Sequence, residues 1–147
     1  MHLSHPDPAR RLATFYWIAV LAAPPIAGAL AANGLGMAVV EPWRDLAFLA
    51  LWSVIEEIVF RGGVQAALLR REGSGFQACS TANLVASALF AGAHAWAHPP
   101  LVALGMFPVS LVLGTAYEGS GRRLAPPIAL HLYFNAALYA TSWLLAR

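Results

Sequence analysis

Several residue types that are common in soluble proteins are scarce in this 147-residue chain. It contains no lysine and one cysteine, and only 11% of its residues are charged. A single cysteine excludes a disulfide within the chain and a cysteine-based metal site. The basic residues are isolated arginines and arginine pairs, so the net charge of +2 comes without the basic patch that nucleic-acid binding requires. We therefore expect no nucleic-acid partner.

Apolar residues are abundant instead, at 59% of the chain, with a mean hydropathy of +0.62. This composition is typical of a membrane protein. Five apolar segments have the length of a membrane-spanning helix. They are Leu12–Ala32, Leu46–Leu69, Ala78–Ala97, Leu101–Tyr117 and Pro126–Leu145. The sequence therefore predicts an all-α fold, a polytopic membrane helix bundle of about five transmembrane helices, in one membrane domain spanning 1–147.

The arginines outside these segments predict an orientation. One side of the membrane would carry Arg10, Arg11, Arg70, Arg71, Arg122 and Arg123, and the other Arg44 and Arg147. Because positive charge favours the cytoplasmic side, we expect a cytoplasmic N-terminus and an external C-terminus.

Ionisable side chains inside the second segment are the first functional signal. An Asp or Arg at a helix centre costs roughly 2.5 kcal/mol or more on insertion scales, so such residues usually mark function. Arg61 lies four residues after Glu57, a spacing that brings two side chains together on one helical face. We expect Glu57 and Arg61 to form an intramembrane ion pair, which leaves Glu56 free to act.

Two further polar pairs occur in the third and fifth segments. His94 follows Phe90 by four residues, and Asn135 follows His131 by four. A hydrolytic site needs a base for water and donors for the developing oxyanion. We assign Glu56 and His94 to water activation and His131 and Asn135 to the oxyanion.

Phe90 is expected to pack against and orient the region of His94. His98, beside two prolines, is interpreted as an interfacial residue, and Glu118, beside a Gly/Ser turn, as a solvated one. Neither is assigned to the site.

Together the three motifs resemble those of the CAAX prenyl protease family and its bacterial relatives, the CPBP or Abi-type intramembrane glutamic endopeptidases. The motifs are Glu56-Glu57-Ile58-Val59-Phe60-Arg61-Gly62, Phe90-Ala91-Gly92-Ala93-His94-Ala95-Trp96 and His131-Leu132-Tyr133-Phe134-Asn135. The resemblance implies a four-helix catalytic core over residues 46–145, preceded by an N-terminal helix and loop over 1–45.

The resemblance also implies an activity and a location. It implies an intramembrane endopeptidase without an obligatory metal or other cofactor, located in a bacterial inner or plasma membrane. The substrate would be a membrane-anchored protein or peptide, and the small size of the chain resembles members that process the C-termini of sorted proteins.

Three other functions are compatible with these residues. Glu, His and His are legitimate zinc ligands, although the sequence lacks His-Glu-x-x-His. A non-catalytic membrane binding or immunity protein could use the same fold. A small transporter could use the same charges for ion coupling, although no inverted repeat is visible.

The predicted spans also contain a geometric conflict. They put His94 toward the external half of the membrane and His131 toward the cytoplasmic half. A common site requires one of the two helices to be shifted, either a third helix that begins earlier or a fifth helix that begins deeper in the membrane. Gly92, Gly105 and Gly114 are expected to permit close helix packing around the site.

Overall fold

The fold is known from a computed structural model, which describes residues 17–18, 20–24, 42–72 and 80–145. All regular secondary structure in these ranges is helical, which confirms the all-α prediction for the described residues. Residues 17–18 and 20–24 are helical, whereas the rest of the predicted helix Leu12–Ala32 lies outside the described residues. Arg10, Arg11 and Arg147, three of the arginines that predict the orientation, also lie outside the described residues.

The helices follow one another along the chain with short connections. The first is a continuous helical run over 42–72, made of α1 (Pro42–Glu57), a π-helical segment (Ile58–Gln65) and α2 (Ala66–Glu72). It is followed by α3 (Thr81–His94), α4 (Pro100–Gly119) and α5 (Ala125–Leu145).

Local sequence explains most of these boundaries. Ser80 caps α3, because its Oγ accepts a hydrogen bond from the backbone N–H of Asn83 at 2.9 Å and thereby satisfies one of the free donors of the first turn. Pro42 and Pro100 each lie at the first position of a helix, where the missing N–H costs nothing. The third helix ends at His94, three residues before the predicted end, and a turn separates it from Pro100.

The run over 42–72 is polar toward the bundle and apolar toward its surroundings. Ser53, Glu57, Arg61 and Gln65 have at most 1% of their surface exposed, whereas Phe48, Leu51, Trp52 and Val59 are exposed by about half or more. A soluble helix would show the opposite arrangement. In addition, α4 and α5 are long and apolar enough to cross a membrane.

The π-helical segment explains how four polar residues at strict four-residue spacing all remain buried. An α-helix has 3.6 residues per turn, so a repeat of four drifts around the axis by about 40° at each step. A π-helix closes its hydrogen bonds from residue i to i+5 and has a wider turn, which reverses this drift. The segment Ile58–Gln65 therefore keeps Arg61 and Gln65 on the inner face.

Close packing of α3 on α4 depends on one of the three expected glycines. The Asn83 side chain lies directly over Gly114, where it takes the space that a Cβ atom would need. The Asn83 Nδ2 donates to the carbonyl of Leu111 at 3.0 Å and to Thr115 Oγ1 at 3.3 Å. Gly92 and Gly105 have open space at the corresponding position, so the expectation of close packing is wrong for them.

Contacts divide the chain into two compact units, Trp43–Tyr133 and Met1–Pro42 with Phe134–Arg147. The first unit contains most of the predicted site residues. Within it, Leu124, which immediately precedes α5, lies against Gly62 and also packs against the cluster of Leu69, Ala82 and Tyr117. The fifth helix thus begins beside the middle of the run over 42–72 instead of beside its end.

Candidate active site

The Glu57–Arg61 pair lies at the centre of the first unit. Arg61 Nε is 3.2 Å from Glu57 Oε2, and both side chains have no exposed surface. Arg61 also donates from Nη1 to Gln65 Oε1 at 3.2 Å and from Nη2 to Ser110 Oγ at 2.7 Å. A charge that is buried so completely is tolerated only when it is paired and hydrogen-bonded, and Arg61 satisfies both conditions.

The second oxygen of Glu57 holds His131. Glu57 Oε1 is 2.9 Å from His131 Nδ1. Glu57 is ion-paired with Arg61 through its other oxygen and a carboxylate only accepts, so His131 Nδ1 carries the hydrogen. This contact fixes the ring of His131 and directs its other nitrogen, Nε2, toward Glu56.

Glu56 lies between the two histidines. Its Oε1 is 3.7 Å from His94 Nε2, and its Oε2 is 3.7 Å from His131 Nε2. These separations are too long for direct hydrogen bonds. The Glu56 side chain retains 13% exposure, whereas Glu57 beside it has none. Of the two neighbouring carboxylates, Glu56 is therefore the accessible one.

His94 is fixed by its own helix. Its Nδ1 lies 2.9 Å from the carbonyl oxygen of Phe90, and since a carbonyl can only accept, Nδ1 carries the hydrogen. A neutral His94 then presents an unprotonated Nε2 to Glu56.

Phe90 connects these groups. It is 1% exposed, its ring centroid is 4.4 Å from that of His94 and 6.1 Å from that of His131, and the Arg61 guanidinium lies 5.8 Å from it. This apolar side chain therefore excludes solvent from one side of both imidazoles.

The predicted site residues are placed as follows. Glu56, His94 and His131 come together, with Glu57, Arg61 and Phe90 packed behind them. Asn135 lies one turn beyond His131 on α5, is half-buried, and belongs to the other compact unit. Its predicted role stays a prediction.

The conflict between the depths of His94 and His131 disappears in the fold. Both rings reach the same carboxylate, because α5 begins beside Gly62 and needs only two turns to bring His131 opposite Glu57.

Three polar residues near the site were missed in the sequence. Gln65 and Ser110 bind Arg61 directly, and Glu118 Oε1 accepts from Gln65 Nε2 at 2.7 Å and from Ser80 Oγ at 2.6 Å. The interpretation of Glu118 as merely solvated is therefore wrong. The four-residue spacing of Ser53, Glu57, Arg61 and Gln65 is a signal that could have identified Gln65. No local pattern marks Ser110 or Glu118.

His98, interpreted from the sequence as an interfacial residue, has its ring parallel to that of His94, with centroids 5.8 Å apart. Its side chain is exposed and no hydrogen bond joins the two rings. Within the described residues, no group of three or more His, Cys, Asp or Glu side chains has the arrangement of a metal site.

A comparison with known families identifies the chain. Residues 15–137 match the model of the family described as Type II CAAX prenyl endopeptidase Rce1-like, a range that includes all three sequence motifs and most of the chain. No curated protein and no solved structure matches it. The predicted family is thus confirmed: the chain belongs to the Rce1-like family of type II CAAX prenyl endopeptidases, and it is a membrane protein of a protease family.

Proposed function

We propose that this protein is an intramembrane endopeptidase of the glutamic type, in which Glu56 and His94 activate a water molecule. The observation that carries the proposal is the position of Glu56, with one imidazole Nε2 at 3.7 Å from each of its two oxygens. Polar groups at this separation are suited to share a water molecule, which can lie at hydrogen-bond distance from both.

In the proposed reaction, Glu56 takes a proton from water and the hydroxide attacks the carbonyl carbon of the scissile peptide bond. His94 Nε2 accepts a second hydrogen bond from the same water and orients it. Glu56 then donates its proton to the amine that leaves, which completes one cycle with no net proton change on the enzyme.

His131 and Asn135 are proposed to stabilise the oxyanion. The His131 nitrogen that faces Glu56 can donate a hydrogen bond only when the ring carries a proton at both nitrogens. Glu57, hydrogen-bonded to Nδ1, holds the ring so that Nε2 faces the reacting groups. Asn135 supplies an amide donor one turn further along the same helix.

The proposed arrangement in the membrane is the one that the sequence predicts. We propose a bundle of about five transmembrane helices in a bacterial membrane, and the distribution of arginines supports a cytoplasmic N-terminus. The inner polar stripe of the run over 42–72 and its apolar outer face support lipid as the surrounding medium. The proposed substrate is a membrane-anchored protein that is cleaved near its C-terminus.

The test is cleavage of lipid-anchored peptides, including a prenylated peptide ending in a Cys-aliphatic-aliphatic-X sequence, by the purified protein in vesicles. Glu56→Gln and His94→Ala should each lower kcat by about 10²- to 10⁴-fold, the usual contribution of acid–base catalysis. His98→Ala is the matched control, because it removes a histidine whose ring lies parallel to that of His94 but makes no described contact with Glu56 or His131, and it should retain most of the activity.

Three results would contradict the proposal. Full turnover by Glu56→Gln would remove the assigned base. Absence of any product from the whole peptide set, with folded protein, would favour a non-catalytic binding role. Loss of activity after exhaustive chelation, restored by zinc, would replace the glutamic mechanism by a metal-dependent one.

A further inference from the structure

Gln65 is a completely buried amide whose hydrogen-bonding groups are all engaged. It has no exposed surface. Its Oε1 accepts from Arg61 Nη1 at 3.2 Å, and its Nε2 donates to the carbonyl oxygen of Gly114 at 3.2 Å and to Glu118 Oε1 at 2.7 Å. An arrangement with every donor and acceptor satisfied has one orientation of lowest energy.

The partners of Gln65 determine which end of the amide faces Arg61. A backbone carbonyl and a carboxylate can only accept, so the NH₂ group must point toward Gly114 and Glu118. Its carbonyl oxygen consequently points toward the guanidinium. Glu118 is itself held by the hydroxyl of Ser80, which ties this end of the arrangement to the first turn of α3.

The guanidinium transmits this orientation toward the proposed site. Its N–H donors lie in one rigid plane, and its two terminal nitrogens, Nη1 and Nη2, bind Gln65 and Ser110. The third donor, Nε, is then directed at Glu57 Oε2, and the other oxygen of Glu57 holds His131 Nδ1. The polar contacts are therefore continuous from Glu118 to the ring of His131.

We propose that Gln65 is a positioning residue for the peptidase reaction, acting through Arg61 and Glu57 on the ring of His131. The proposal rests on the function proposed above. It gives a role to a buried amide that touches neither the proposed water nor the scissile bond.

The kinetic test uses two variants. Gln65→Met keeps the length of the side chain and removes its hydrogen bonds, and we expect kcat to fall about 10- to 100-fold, the range for a hydrogen bond to a charged group. KM should stay within about twofold, since the residue does not touch the peptide. Gln65→Asn keeps the amide and shortens its reach, so it should show a smaller loss of the same kind.

Thr141→Val is the control for loss of a hydrogen bond elsewhere. The Thr141 hydroxyl donates to Ala137 of its own helix at 2.8 Å, and the variant should leave kcat within about threefold of the wild type. A kcat of Gln65→Met within about threefold of the wild type would overturn the proposal, because that variant keeps the length of the side chain and removes its hydrogen bonds.

A spectroscopic measurement makes the test independent of cleavage. The ¹⁵N resonances of the His131 ring, assigned by their loss in His131→Gln, should show a hydrogen on Nδ1 in the wild type. In Gln65→Met they should shift or split as the hydrogen bond between Nδ1 and Glu57 loses its fixed geometry. Unchanged His131 resonances would overturn the positioning role even if no peptide were cleaved, whereas failure of the proposed peptidase function would appear as an inactive wild type.

Discussion

The substitution Glu57→Gln tests the centre of the polar cluster. Glu57 uses one oxygen for Arg61 and the other for His131. An amide has one acceptor and one donor end, so if its oxygen stays with Arg61, its NH₂ group faces His131 Nδ1. An NH₂ group cannot accept the hydrogen that His131 Nδ1 donates to Glu57. The variant therefore removes both the charge that balances Arg61 and the acceptor that holds the ring of His131.

The size of the effect follows from burial. Neither Glu57 nor Arg61 has exposed side-chain surface, and breaking a buried ion pair by removing one partner costs about 3 to 5 kcal/mol. Glu56→Gln is the matched substitution at the neighbouring position. Glu56 is partly accessible, lies 3.7 Å from each histidine nitrogen and is hydrogen-bonded by Trp52, a bond that the glutamine oxygen can still accept. The loss of its charge should therefore cost clearly less than that of Glu57, about 1 kcal/mol.

The assay is unfolding of the purified protein by a denaturing detergent in mixed micelles, followed by tryptophan fluorescence. We expect both variants to be inactive, but only Glu57→Gln to be strongly destabilised. The double variant Glu57→Gln/Arg61→Met, which removes the stranded charge, should recover at least half of the lost stability and remain inactive. Equal stability of Glu56→Gln and Glu57→Gln would refute the reasoning.

Two further predictions concern the packing of α3. Gly114→Ala should destabilise the protein by about 1 to 3 kcal/mol, because the new methyl group meets the Asn83 side chain and the helices must separate. Gly105→Ala, in open space on the same helix, should be neutral or slightly stabilising, and the same detergent titration compares them. Ser80→Ala removes a helix cap and the hydrogen bond to Glu118, which should cost about 1 to 2 kcal/mol. Faster amide hydrogen exchange in the first turn of α3 would reveal it, and unchanged exchange would contradict the capping role.

Much of the fold was predictable because it depends on local properties of the chain. Apolar length identified the helices from Leu46 onward, and prolines marked several of their starts. The π-helical segment was not predicted, since it arises from the need to bury Arg61 and Gln65 at once against partners on α4. The start of α5 beside Gly62 likewise depends on the side chain of Leu124 and its neighbours, which no local pattern reveals.

The candidate site shows the same division. Sequence spacing alone determined that Glu57 pairs with Arg61, because both lie on one helix where residues four apart meet. The apolar surroundings also marked Glu56, His94, His131 and Asn135 as candidate site residues, because polar side chains within membrane-length apolar segments usually have a function. Only the tertiary structure decided that Glu57 also binds His131, that Glu56 lies between two imidazoles, and that Glu118 supports Gln65. These contacts join residues 38 to 75 positions apart, and such pairs meet only after separate helices have packed.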